Sequence, residues 1–176
     1  FDLGDAPFAS AVVLARELRA LLTEIGLRGY PKTSGQTGLH VLVPMGGASF
    51  TTAKHLATLL GSLLHARHPE ISTIERIRRA RRAGAVYIDT GQTGRSRAIV
   101  APYSVRAYPG ATVSTPLHWD EVSQALAPSR FDLHTVPARI VELGDPMTPL
   151  LDETPNIDDA VARIEPLIAE LPKRRP

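Results

Sequence analysis

The 176-residue chain has no cysteine, which excludes disulfides, Cys-ligated zinc or iron–sulfur centres and a thiol nucleophile. Aromatic residues are scarce at 5%, yet 43% apolar and 22% charged residues still describe one globular domain rather than a disordered tail or fibre. No long apolar run exists. The longest, residues 11–15, falls far short of the ~18 residues a membrane-spanning helix requires, and Asp2 and Asp5 stand where a secretory signal would carry basic residues. A cytoplasmic protein is the expectation. Net charge is also small: 20 Lys and Arg against 18 Asp and Glu leave +2, so the field of the whole chain is weak. Internal repeats, a P-loop, a serine-hydrolase elbow and a dinucleotide-binding glycine fingerprint are all missing. His65 and His68 are three apart, but no third ligand completes a metal set.

Hydrophobic periodicity supplies the framework. Residues 7–25 place Phe8, Val12, Ala15, Leu18, Leu22 and Ile25 on one stripe and predict a helix stopped by Gly26. Strands are expected at 30–33 and 39–43, joined by the turn Ser34-Gly-Gln-Thr-Gly38. A second helix, capped by Thr51 or Thr52, runs to about Arg67, where His68 and Pro69 break it. A basic helix is expected over 73–83, a strand over 86–88, extended segments at 98–101 and 104–107, and a short helix over 119–126. Asn156 predicts the cap of a last helix, 157–171, interrupted or kinked at Pro166. Strands interleaved with helices give an α+β, or α/β-like, domain; the mixed, largely antiparallel sheet flanked by helices is what the family resemblance set out below implies. Residues 1–145 are read as the core, and 146–176 as a proline-rich connection and a C-terminal helix packed on the same domain.

Charge distribution says more than its sum. Arg76, Arg78, Arg79, Arg81 and Arg82 are clustered, and Lys173, Arg174 and Arg175 close the chain; both groups suit phosphates, or a solvated face and a frayed tail. Asp89 ends an apolar strand, where a carboxylate on rigid backbone suits a hard cation, although such residues also serve as turn formers. The Ser34 turn has glycines that let backbone N–H groups approach phosphate oxygens, and it is equally an ordinary hairpin. His40 leaves that turn, where it could reach the same ligand or sit satisfied in the core.

Three stretches combine in order: the opening Phe1-Asp2-Leu-Gly4-Asp5, then Lys32-Thr-Ser-Gly-x-x-Gly-Leu-His40-Val, then the run from Val86-Tyr-Ile-Asp89 through Ala101-Pro-Tyr-Ser-Val-Arg106-Ala-Tyr-Pro-Gly110 to His118-Trp119. With His68-Pro-Glu70 and Thr135-Val-Pro-Ala-Arg139 they make the sequence resemble the primase-polymerase domain of bacterial DNA ligase D, of the archaeo-eukaryotic primase superfamily. The resemblance covers the later part of that domain. It implies template-directed addition of nucleotides to a 3′ hydroxyl at a DNA break, with two Mg2+ or Mn2+ ions held by three carboxylates. Asp2 and Asp89 match two of these as catalytic and metal-binding residues. Gly4 stands in place of the other, in a strand motif whose alternate residues share a face; Asp5 would substitute only after a sharp turn. Ser34, His40 and Arg106, with Lys32, Arg82 and Gln92, are implied at the nucleotide. The implied partners are a nucleoside triphosphate, DNA ends or gapped duplex, a ligase domain and the bacterial Ku end-binding protein. Two readings follow: a DNA-repair nucleotidyltransferase weakened at Gly4, or a catalytically inactive nucleotide- or DNA-binding module of the same ancestry.

Overall fold

In the computed structural model, which describes residues 1–171, the two long helices fall where periodicity puts them. Helix α1, Phe8–Glu24, buries Ala11, Val12, Leu14, Ala15, Leu21 and Leu22. It ends in a Schellman-type closure: Gly26 adopts φ +78°, and the N–H groups of Gly26 and Leu27 return to Thr23 O and Leu22 O, a geometry that favours glycine. Helix α2, Phe50–Arg67, begins earlier than expected, because Ser49 rather than Thr51 or Thr52 accepts the orphan N–H of Thr52 at 3.1 Å.

Strands β1, Tyr30–Thr33, and β2, Leu39–Leu42, form an antiparallel hairpin in which Lys32 faces His40. A parallel pair, β3 Ser72–Thr73 and β4 Val86–Tyr87, lies apart from it in sequence. The first two residues stitch the pairs together. Phe1 exchanges backbone hydrogen bonds with Leu39, and Asp2 does the same with Tyr87 at 2.9 and 2.8 Å. On the outer side of the hairpin, Lys32 bridges Pro116. The architecture is therefore α+β, with short and mostly antiparallel pairings.

The remaining helices are α3, Thr135–Leu143, and α4, Ile157–Ala169. Asn156 caps α4 by accepting the Asp159 N–H at 3.1 Å, and the helix passes through Pro166 without ending there. Its Ile157, Ala160 and Ile164 join Leu14, Leu21, Leu60 and Leu64 of α1 and α2 in the main core. A smaller cluster, Val12, Ala15, Leu39, Leu117 and Val122, lies on the other side of α1. No helix among the described residues is long and apolar enough to cross a membrane.

Three expectations about local structure are overturned. Residues 73–83 are not a helix: β3 is followed by a loop and one 3-10 turn, Arg78–Ala80. The segment has arginines on every side and no apolar stripe to bury, and its carbonyls at Glu75 and Arg76 are satisfied by the Arg81 side chain instead. Residues 119–126 form turns, held by Trp119 Nε1–H donating to Gly29 O and by Glu121 accepting from the His118 N–H. The segments 98–101 and 104–107 contain no strand; only Val105 makes a bridge, to Val113. Conversely, α3 escapes the periodicity reading because Pro137 lies in its first turn, where a missing N–H costs little. Asp132 caps that turn by accepting the N–H groups of His134 and Thr135. The basic tail at Lys173, Arg174 and Arg175 lies outside the described residues.

Candidate functional site

The site begins with the pairing of Asp2 and Tyr87. Residues directly opposite in an antiparallel ladder point to one face, and residues two apart on a strand share it. Asp2 thus shares its face with Tyr87 and, two residues further, with Asp89. Both carboxylates line one cavity of about 320 Å³, with Phe1, His40, Gln92 and Thr93 beside them. Its inner wall is apolar, built by Val41, Val43, Leu56, Leu60 and Ile88.

Each carboxylate also organises its own turn. Asp89 Oδ1 accepts the Gly91 N–H at 2.9 Å, and Gln92 Nε2 donates to Oδ2 at 3.4 Å. Asp2 Oδ1 accepts the Gly4 N–H at 3.3 Å. The other oxygen of Asp2 is 2.9 Å from Arg81 Nη1, and the same guanidinium lies 3.7 Å from the centre of the Tyr87 ring. Arg81 is the residue that spacing failed to single out: within a run of arginines, nothing local marks the one that turns inward.

Position 4 carries no carboxylate. Gly4 adopts φ +54°, so the chain leaves the extended geometry that an Asp-x-Asp clasp requires. Asp5 does not replace it, because its Oδ1 accepts the Gly84 N–H at 3.1 Å. Asp2 and Asp89 thus supply two of the three carboxylates of the two-ion magnesium or manganese centre implied by resemblance, and the centre is incomplete. No group of three or more His, Asp or Glu among the described residues is placed to hold an ion, and a guanidinium already neutralises Asp2.

The Ser34 turn is closed on itself. Ser34 Oγ accepts the N–H groups of Gln36 and Gly38 at 3.1 and 2.9 Å. Arg106 lies across it, donating to Ser34 O at 3.3 Å, and its Cγ lies 2.6 Å from where a Cβ on Gly35 would stand. Only glycine permits that approach, because Gly35 also has φ +71°. His40 joins this turn to the carboxylate cavity. Burial, reinforced by the charges of Lys32 and Arg106, lowers the His40 imidazole to about 3, and its Nδ1 is buried without a partner among the described residues. It is a neutral ring with an unsatisfied nitrogen.

Lys32 and Arg82 depart from the expected nucleotide pocket. Lys32 is fully buried and donates to Ser114 Oγ at 2.5 Å; burial, with Arg106 nearby, lowers its ammonium to about 8. It supports the hairpin from beneath. Arg82 is not part of the cavity lining; it donates to the carbonyls of Pro69 and Glu70. The structure therefore gathers Asp2, Asp89, His40 and Gln92 in one cavity and places Ser34 and Arg106 together at the turn beyond His40.

Comparison with known proteins gives a consistent picture. Residues 1–147 match the family described as LigD, primase-polymerase domain. The bifunctional non-homologous end joining protein LigD of Bacillus subtilis is 35% identical over 141 residues, covering 79% of this chain and 23% of that protein. The multifunctional non-homologous end joining protein LigD of Mycolicibacterium smegmatis is 36% identical over 171 residues, 91% of this chain and 22% of that protein. Among solved structures, the polymerase domain of Mycobacterium tuberculosis ligase D in complex with DNA superposes with a TM-score of 0.79 at 32% identity, covering 88% of this chain and 53% of that one. The chain thus spans less than a quarter of the curated relatives.

Proposed function

The chain belongs to the LigD primase-polymerase family, and we propose that it binds a nucleoside triphosphate at DNA breaks in non-homologous end joining, with nucleotide addition weakened at Gly4. The observation that carries this reading is the convergence of Asp2 and Asp89 on one face of one cavity, together with His40 and Gln92. In this reading the neutral His40 lines the ligand's cavity, and Gln92 fixes the Asp89 carboxylate. Arg106 meets phosphate oxygens as a bidentate donor from the Ser34 turn. Addition to a 3′ hydroxyl would need divalent ions, and the chain lacks the carboxylate at position 4 that its relatives' motif supplies by resemblance.

A second reading, a nucleotide- or DNA-binding module without chemistry, is favoured by one contact: the ion pair of Asp2 with Arg81. One experiment separates the two. Nucleotide titration with and without Mn2+ is run beside extension of a gapped duplex. Slow extension dependent on Mn2+ supports the weakened polymerase. Nucleotide binding that is independent of Mn2+, without extension, supports the module. Binding of neither nucleotide nor duplex would overturn both.

A further inference from the structure

The three non-glycine residues at positive φ among the described residues, Ser96, Tyr103 and Ala111, all fall in the stretch that delivers Arg106. Two of them bracket it. Tyr103, at φ +63°, opens a narrow backbone ribbon, and Ala111, at φ +45°, lies in its turn. In this ribbon the Tyr103 N–H donates to Ser114 O at 2.7 Å, the Arg106 N–H to Thr112 O at 2.8 Å and the Ser114 N–H to Ser104 O at 2.9 Å. Left-handed backbone is unfavourable for any residue with a Cβ, most of all a bulky one, and persists only where the surroundings over-determine it.

A side-chain latch supplies the constraint at Tyr103. Its phenol donates to Asp145 Oδ1 at 2.7 Å, across 42 residues of chain. Asp145 is a fixed post: the same oxygen accepts the Met147 N–H at 2.9 Å, Met147 is buried, and Gly144, at φ +72°, turns the chain out of α3 directly before it. Burial, then the bond to Asp145, holds the Tyr103 phenol above its ordinary range, so it stays a donor at neutral pH. The other arm of the ribbon is tied to the Ser34 turn by Thr112 Oγ1, which donates to Gly35 O at 2.5 Å. On the arm that carries Arg106, the arginine makes one 3.3 Å bond to Ser34 O. A guanidinium that serves phosphates cannot also be the anchor of its own arm, and the phenol anchors that arm from its other end.

We propose that Tyr103 is a positioning residue for Arg106: its phenol, latched to Asp145, holds the left-handed backbone that aims the ribbon and so sets the Arg106 guanidinium over the Ser34 turn. The inference rests on the proposed function, in which Arg106 meets the phosphates of a nucleoside triphosphate, and it extends that site to the residue that follows α3 and Gly144. Neither Tyr103 nor Asp145 lines the carboxylate cavity. Their effect on the nucleotide therefore passes through the arginine.

The test titrates the full chain with N-methylanthraniloyl-ATP and follows amide hydrogen exchange. Tyr103→Phe is expected to weaken binding about fivefold and to speed exchange of the Arg106 N–H about tenfold. Asp145→Ala should match it, and Asp145→Asn, which keeps an accepting oxygen, should recover most of the loss. On an Arg106→Ala background, Tyr103→Phe is expected to change affinity no further, because its route to the nucleotide is gone. Unchanged affinity in Tyr103→Phe, with weakened binding in Arg106→Ala, would overturn the latch alone. An equal loss from Tyr103→Phe with and without Arg106 would show that the phenol supports the fold at large, and would overturn the positioning role. Unchanged affinity in Arg106→Ala would overturn the assignment of Arg106 to the phosphates, and this inference with it.

Discussion

The guanidinium of Arg81 lies 2.9 Å from Asp2 Oδ2, on the face that Asp2 shares with Asp89. It neutralises one carboxylate, so the pair presents less negative charge to a cation than two free carboxylates would. Arg81→Met should release Asp2 and strengthen Mn2+ binding about fivefold, the equivalent of an ion pair worth about 1 kcal/mol. Electron paramagnetic resonance of free Mn2+ reads this directly. The same variant should lose about 1 kcal/mol of stability, because the contact with the Tyr87 ring goes too. Equal Mn2+ affinity in both proteins would show that Arg81 does not compete.

Gly4 gives the complementary substitution. A Cβ at this position meets nothing within 4 Å, so Gly4→Asp has space, while φ +54° imposes a backbone cost of about 1 kcal/mol, which aspartate tolerates better than most residues. The expected outcome is a Tm lower by a few degrees together with faster Mn2+-dependent extension of a gapped duplex. Gly4→Ala carries the same strain without the carboxylate and should lose stability with no gain in rate. Equal rates in the two variants would remove Gly4 as the reason for weak addition.

How much of this was legible from sequence divides along local and non-local lines. The α1 stripe, the stop at Gly26, the hairpin around Ser34 and the Asn156 cap each lie within a few residues of their cause, and all were readable. The adjacency of Asp2 and Asp89 was accessible only through resemblance, because it depends on a backbone pairing of Asp2 with Tyr87 that no spacing encodes. The inward turn of Arg81 and the absence of Arg82 from the cavity lining were not readable. Two neighbouring residues of one type differ only in which carbonyls their loop leaves unsatisfied: Glu75 O and Arg76 O for the first, Pro69 O and Glu70 O for the second.

Lys32 predicts an alkaline signature. Its ammonium is lowered from 10.5 to about 8 in the folded chain, so above that pH the unfolded chain binds the extra proton. Stability must therefore rise with pH between about 8 and 10.5, by on the order of 3 kcal/mol, apart from the contributions of other groups. Lys32→Met, with a side chain of similar length, should remove this rise and match or exceed the parent stability at pH 7. Urea unfolding at pH 7.5 and at pH 10 checks it. A rise that persists in the variant would place its origin elsewhere.

His40, opposite Lys32 in the hairpin, titrates in the reverse range. Its folded value is about 3 against an ordinary 6.5, so on acidification the unfolded chain takes up the proton first. The contribution of the neutral ring to stability is complete above about pH 6.5 and is lost as pH falls toward 3. His40→Gln should flatten that acid limb, while the His40 ring resonances of the parent chain stay constant by NMR from pH 8 down to about 4.5. Because the ring holds no charge in this range, nucleotide affinity should show no His40-dependent step between about pH 5 and 8. A His40 resonance that titrates near pH 6.5 would mean that the imidazole reaches water, and would overturn the assignment of a buried, neutral ring beside the cavity.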